Sequence, residues 1–126
     1  MRYILDTTLL IDHSKGRPGV AEFVASLFAE SNDLYVCDVV VAEALTGGDA
    51  IQRATIGSLI RALEYVSTAP DAAVWAADSR RQRKAFGPRS LGDAIIAGIA
   101  WFNDATVVTR NPHDFEVQGV RVLGYE

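Results

Sequence analysis

The sequence has 126 residues, 49% of them hydrophobic and 22% charged, with a net charge of −4. That size and balance fit one globular domain spanning 1–126, and they exclude a disordered chain, which needs fewer apolar residues and less balanced charge. Apolar stretches such as 39–42 and 94–102 fall far short of a bilayer span of roughly 20 residues, and an acid at position 6 interrupts any signal-peptide pattern, so the expectation is no membrane segment and a cytoplasmic location.

Residues 2–5 form a short apolar run that predicts a buried strand opening, after Asp6, into a helix carrying Leu9, Leu10 and Ile11. Gly16-Arg-Pro-Gly19 is a turn, and Val20, Phe23, Val24, Leu27 and Phe28 recur at helical spacing until Ser31-Asn-Asp33. Residues 34–37 predict a second strand, with Asp38 as N-cap of a helix through Val41, Ala42 and Leu45 that stops at Gly47-Gly48. Ile51, Ile56, Leu59, Ile60 and Leu63 mark a further helix, and 65–67 a third strand.

Pro70 opens the next helix, which Phe86-Gly-Pro88 ends. Ser90 starts another, with Leu91, Ile95, Gly98, Ile99 and Phe102 on one face and an end near Asn103-Asp104. The β-branched run 105–109 predicts a fully buried strand, and 120–123 a last one. Short apolar strands alternating with helices imply an α/β domain of three layers, with helices covering both faces of a mostly parallel sheet. No internal repeat or low-complexity linker interrupts it.

In such a sheet the carboxyl ends of the strands share one rim, where ligands bind. Asp6 ends the first strand, Glu43 lies one turn into the helix after the second, and the segment from Asn111 to Asp114 follows the 106–109 strand. Asp93 belongs to the helix before that strand, and its facing the same rim is an assumption. Converging carboxylates repel one another unless a cation neutralises them, and hard oxygen ligands suit Mg2+ or Mn2+. Phosphodiester hydrolysis by an activated water is the chemistry that follows.

Each acid also has a plain structural explanation. Asp6 could cap the helix after it. Ser90-Leu-Gly-Asp93 has the form of a capping box, and Asn111-Pro-His-Asp114 that of a turn capped by Asn111. Glu43 resists such an explanation best, because it sits within the apolar run Val39-Val-Val-Ala-Glu-Ala-Leu45. Cys37 is the only cysteine, and His13 and His113 are far apart in sequence, which argues against a thiolate zinc site or a local histidine pair. A net charge of −4 argues against binding nucleic acid through bulk electrostatics alone.

These residues carry a resemblance. Tyr3-Ile-Leu-Asp-Thr-Thr-Leu-Leu-Ile11, Val41-Ala-Glu-Ala-Leu45, Leu91-Gly-Asp-Ala-Ile-Ile-Ala97 and Val107-Val-Thr-Arg-Asn-Pro-His-Asp-Phe115, in that order, resemble the PIN-domain family along the whole chain. Within the family the chain resembles the VapC-type toxins of bacterial type II toxin–antitoxin pairs. The resemblance implies a PIN-like α/β/α fold and a Mg2+-dependent endoribonuclease, with Mn2+ as the alternative ion and Asp6, Glu43, Asp93 and Asp114 as catalytic metal ligands. It further implies supporting roles for Thr109 and Asn111, with Thr8 as a third supporting residue. Thr8 stands where the family often has Asn or Ser, and some members carry the last acid at the position of Asn111, so the fourth ligand is either Asp114 or Asn111.

The implied partners are an RNA substrate, a small VapB-type antitoxin that blocks the acidic groove, and a second copy of the chain in a homodimer. Arg110, Arg89, Lys15 and Arg17 lie near the expected rim as guides for RNA. Arg80, Arg81, Arg83 and Lys84 read as a solvated helix face in preference to an RNA contact, and Trp75 and Trp101 as core or dimer contacts. Three rivals are weaker. An aspartyl phosphatase wants a second acid at the position of Thr8, a receiver-like domain wants a lysine after a late strand, and a nucleotide-binding module wants a Gly-x-Gly-x-x-Gly that no strand here precedes. A PIN fold serving RNA processing, or one that binds without cleaving, is the remaining alternative.

Overall fold

The computed structural model describes residues 1–125, apart from the side chain of Arg89, so the RNA-guiding expectation for Arg89 lies outside the described residues. Five parallel strands, β1 (Arg2–Leu5), β2 (Asp33–Cys37), β3 (Glu64–Val66), β4 (Thr106–Thr109) and β5 (Val122–Gly124), form one sheet in the order β3-β2-β1-β4-β5. The helices are α1 (Thr7–Ser14), α2 (Val20–Ala29), α3 (Asp38–Ala44), α4 (Ala50–Arg61), α5 (Pro70–Gln82), α6 (Pro88–Phe102) and α7 (His113–Glu116). This is the three-layer α/β/α arrangement expected from the alternation of elements. The central strands β1 and β4 carry the buried Ile4, Leu5, Val107 and Val108, as a parallel sheet covered on both faces requires.

The last strand starts two residues later than the apolar run suggests. Gly119, at φ +84°, turns the chain, and Val122 is the first residue of the ladder, opposite Val107. A left-handed turn favours glycine because it has no Cβ to collide with the backbone.

Several helix boundaries differ from expectation, and the differences bear on the site. Helix α6 begins at Pro88, so Ser90 is its third residue and not its start. The Ser90 hydroxyl donates to the carbonyls of Ala85 and Gly87, each at 2.7 Å. Asp93 therefore lies in the second turn, and the capping-box explanation for it fails. Helix α5 stops at Gln82, before the expected Phe86, because Lys84 takes a left-handed φ of 53° and turns the chain out of the helix.

Asp38 is the first residue of α3 and not its N-cap, a position held by Cys37. The Asp38 carboxylate instead accepts from the Thr68 N–H at 3.1 Å and the Thr68 hydroxyl at 2.8 Å, tying α3 to the chain beyond β3. Helix α4 opens on a full capping box between Asp49 and Gln52.

Candidate active site

Asp6 follows directly from β1. Its backbone N–H donates to the Val108 carbonyl at 2.9 Å, extending the ladder in which Leu5 pairs with Val108, so Asp6 comes to lie beside Thr109 at the carboxyl edge of the sheet. The side chain is buried at 4% exposure and caps nothing. Its Oδ2 accepts from the Thr109 hydroxyl at 2.7 Å and the Thr8 hydroxyl at 3.0 Å, which fixes the rotation of the carboxylate. The helix-cap explanation thus gives way to one in which α1 and β4 hold the acid. Burial raises the Asp6 carboxyl above its usual range and the Glu43 charge adds to this, while the bonds from Thr109, Thr7 and Thr8 oppose it.

Glu43 is exposed, contrary to the expectation drawn from its apolar neighbours. The run of valines and alanines wraps around α3, and helical spacing turns Val40 and Ala44 inward while Glu43 faces outward over the sheet edge. There the Thr7 hydroxyl donates to Glu43 Oε1 at 2.7 Å. The sequence reading missed Thr7, although its place immediately after Asp6 on α1 was a usable signal.

Asp93 projects from the second turn of α6, which packs against α3, α7 and β4. Its carboxyl is pushed up to about 7, first by burial and then by the charges of Asp6, Asp114 and Glu43, with Arg83 pulling the other way. The charges of all three other acids act on it, which agrees with α6 turning Asp93 toward the rim. Asp93 and Asp114 share a cleft of about 420 Å3 that Arg83, Ser90, His113 and Gln118 also line.

Helix α7 replaces the capped turn expected at Asn111. Its preceding residue is Pro112, and no side-chain cap bond closes its start. The Asp114 N–H donates to the Asn111 carbonyl at 3.2 Å, and the Asn111 N–H to the Thr109 hydroxyl at 3.0 Å. Thr109, fully buried, thus joins the β4 loop to Asp6.

The expected cations fare differently from one another. Arg110 pairs with the buried Asp12 at 3.2 Å, and Tyr125 donates its hydroxyl to the same carboxylate at 2.8 Å. That engagement makes Arg110 a fold contact before it is an RNA guide. Lys15 lies at the end of α1 and borders a cavity of about 280 Å3 together with Ile11, Glu43 and Gln52. Cys37 is a core thiol, which burial pushes up to about 11.

The donor set fits a hard divalent cation: four carboxylates and no thiolate, with Asp93 and Asp6 both raised first by burial and further by neighbouring acids. Among the described residues no three His, Cys, Asp or Glu side chains stand within joint reach of one ion. Such an open set suits a hydrated cation held through one or two carboxylates better than a closed protein cage.

A parallel α/β sheet with acids at its carboxyl edge places a candidate site at the rim where such sheets bind their ligands. The PIN domain model matches residues 3–118, and the chain belongs to the PIN-domain family, whose members are nucleases that generally use a divalent metal. A curated relative, Ribonuclease VapC19 of Mycobacterium tuberculosis, is 26% identical over 113 residues, which cover 89% of this chain and 90% of the relative. The fold is similar to that in the structure of VapBC2 from Rickettsia felis bound to a promoter DNA fragment, with TM-score 0.82, 18% identity and all of both chains covered. It is also similar to DNA-bound VapBC from Salmonella typhimurium, with TM-score 0.78, 24% identity and 98% of both chains covered. No helix among the described residues is long and apolar enough to cross a membrane.

Proposed function

We propose that this chain is a VapC-type endoribonuclease toxin of the cytoplasm, with Asp6, Glu43, Asp93 and Asp114 as the acids of a Mg2+ site. The observation that carries this reading is the placement of the acids: Asp6 held by Thr109 at the carboxyl edge of the sheet, Glu43 against Gly92, and Asp93 and Asp114 in one cleft. Carboxylates drawn from four distant parts of the chain and left mutually repelling store an electrostatic cost, which a cation relieves.

A divalent cation bound there would neutralise the phosphodiester and lower the pKa of an attacking water. The chain's residues prepare for it. Thr109 and Thr8 orient Asp6 from below, and Thr7 holds Glu43 above the rim. Asp93 and Asp114 form the wall of the cleft on the α6–α7 side. Hydrolysis breaks the bond from phosphorus to the leaving ribose oxygen and forms one to the water oxygen; no side chain need act as nucleophile.

The VapBC complexes among the similar folds support a VapB-type antitoxin as the partner that silences the site. An antitoxin presenting a basic residue to four acids would complement their charge. A homodimer is part of the same reading, and the exposed Trp101 and Phe102 at the end of α6 offer it an apolar face.

The test is cleavage of a structured RNA by the purified chain, by Asp6→Asn and by Asp93→Asn, with Mg2+ and with EDTA. Cleavage by the unaltered chain in Mg2+ alone, with loss of at least about 100-fold in each variant, is the expected result. Cleavage that persists in EDTA or in either variant overturns the reading.

A further inference from the structure

The basic run at the end of α5 divides once each side chain is followed. Arg80 turns back onto the connection to α6, its Nε donating to the Ala85 carbonyl at 3.2 Å and its Nη2 to the Gly87 carbonyl at 3.3 Å. Arg81 pairs with Asp78 at 2.9 Å on the exposed face. The solvated-face expectation suits Arg81 but not Arg83.

Arg83 donates through Nε to the Ser79 hydroxyl at 3.2 Å. Ser79 is buried and donates onward to Gln118 Oε1 at 3.0 Å, and Gln118 Nε2 donates to the Asp114 carbonyl at 2.9 Å. An unbroken chain of hydrogen bonds therefore ties the guanidinium to the backbone of one of the four acids. Only the Nε edge is used: among the described residues the two Nη groups of Arg83 donate to nothing, and Arg83 forms no ion pair with Asp93 or Asp114.

Its position gives those Nη groups a purpose. Arg83 lines the cleft that holds Asp93 and Asp114, and also an adjoining one of about 310 Å3 lined by Trp75, Asp78, Gln82 and Gln118. The two clefts share Arg83, Val117 and Gln118, so they adjoin at these residues, one on the side of the acids and the other on the side of Trp75. A planar guanidinium anchored at one edge keeps its fork ready for two oxygens of a phosphate, and anchoring lowers the side-chain entropy lost on binding. A polynucleotide with one phosphate at the acids that extends over these adjoining clefts brings a neighbouring phosphate to Arg83.

We propose that Arg83 is a substrate-positioning residue of this chain, binding an RNA phosphate adjacent to the one that is cut, and that the adjoining cleft past Gln118 toward Trp75 carries the strand. The proposal rests on the ribonuclease reading of the acids and adds to it the side from which substrate enters.

The experiment compares the unaltered chain with Arg83→Gln, Arg83→Lys and the surface control Arg81→Gln. Steady-state cleavage of a single-stranded RNA gives KM and kcat. Equilibrium binding of the same RNA, measured in the Asp6→Asn background across a salt series, reads the contact without turnover. Arg83→Gln is expected to raise KM and weaken binding by about 10-fold, to change kcat by less than about threefold, and to flatten the slope of log affinity against log salt by about 0.7. Arg83→Lys should recover that slope and part of the affinity, and Arg81→Gln should stay within about twofold of the unaltered chain.

Unchanged KM and affinity in Arg83→Gln, an equal loss in Arg81→Gln, or a loss confined to kcat would each overturn the proposal. Should Arg83→Gln fail to fold, Arg83→Lys carries the test: about threefold weaker binding with the slope retained supports it, and unchanged binding overturns it. If the unaltered chain does not cut RNA, the ribonuclease reading fails, while the binding arm still decides whether Arg83 holds a phosphate.

Discussion

Glu43 Oε2 occupies the space in which a side chain on Gly92 would stand: a Cβ placed on Gly92 would lie 2.6 Å from it. The close approach of α3 to α6 at this point lets Glu43 reach over the residue immediately before Asp93. In Gly92→Ala the atom that must yield is the far end of a flexible carboxylate, so the fold should survive. Alanine inside a helix is favoured over glycine by about 1 kcal/mol, which offsets the strain. The expected outcome is a thermal midpoint equal to or above the original, with RNA cleavage reduced about 10-fold or more because Glu43 is displaced. Equal stability with full activity would detach Glu43 from the site.

Gly98, six residues further along α6, gives the opposite result for the same substitution. A Cβ there would run into the backbone carbonyl of Ala72 on α5, which cannot swing aside. Gly98→Ala should cost about 2 kcal/mol after the helix-propensity gain is counted, as overpacking between elements does. Urea unfolding measures it, and an unchanged midpoint would show that α5 can shift.

Asp93 keeps its proton to about pH 7, where an ordinary aspartate loses it near 3.8. Between those values the folded chain binds more protons than the unfolded one, so this carboxyl's contribution to stability is full below about pH 4 and is lost as the pH rises through about 7. In EDTA, the thermal midpoint of the unaltered chain should fall relative to that of Asp93→Asn across this window. Added Mg2+ should shrink the fall by stabilising the charged form. A difference between the two proteins that does not vary with pH would contradict the assignment.

Arg110 and Asp12 predict a loss of stability with little loss of substrate affinity. Asp12 is buried at 5% exposure and is held by Arg110 and Tyr125, and the Tyr125 ring stacks on Phe23 at 5.3 Å. Arg110→Ala leaves that carboxylate short of a cation and should cost about 1–3 kcal/mol in urea unfolding. KM for RNA should stay within about twofold. A large rise in KM with unchanged stability would restore Arg110 to the substrate.

The order of strands and helices was legible because apolar runs and turn residues alternate cleanly along this chain. Asp6 was legible for the same reason, since it ends the first such run. Asp93 was not, because Ser90-Leu-Gly-Asp93 imitates a capping box, and only the start of α6 at Pro88 removes that explanation. Glu43 was singled out for a reason that fails: it is exposed, and its apolar neighbours face away from it. Arg83 was hidden among similar cations, because what distinguishes it is a hydrogen-bond chain through Ser79 and Gln118, residues that sequence spacing does not connect.

The most direct test of the four-acid site is cation binding itself. Mn2+ titrated by calorimetry or by electron paramagnetic resonance at pH 7.5 should bind the unaltered chain at a saturable site. Asp6→Asn and Asp93→Asn should each weaken that binding by about 10-fold or more while the fold is retained. Binding of equal strength in both variants, or none in the unaltered chain at millimolar Mn2+, would contradict the account.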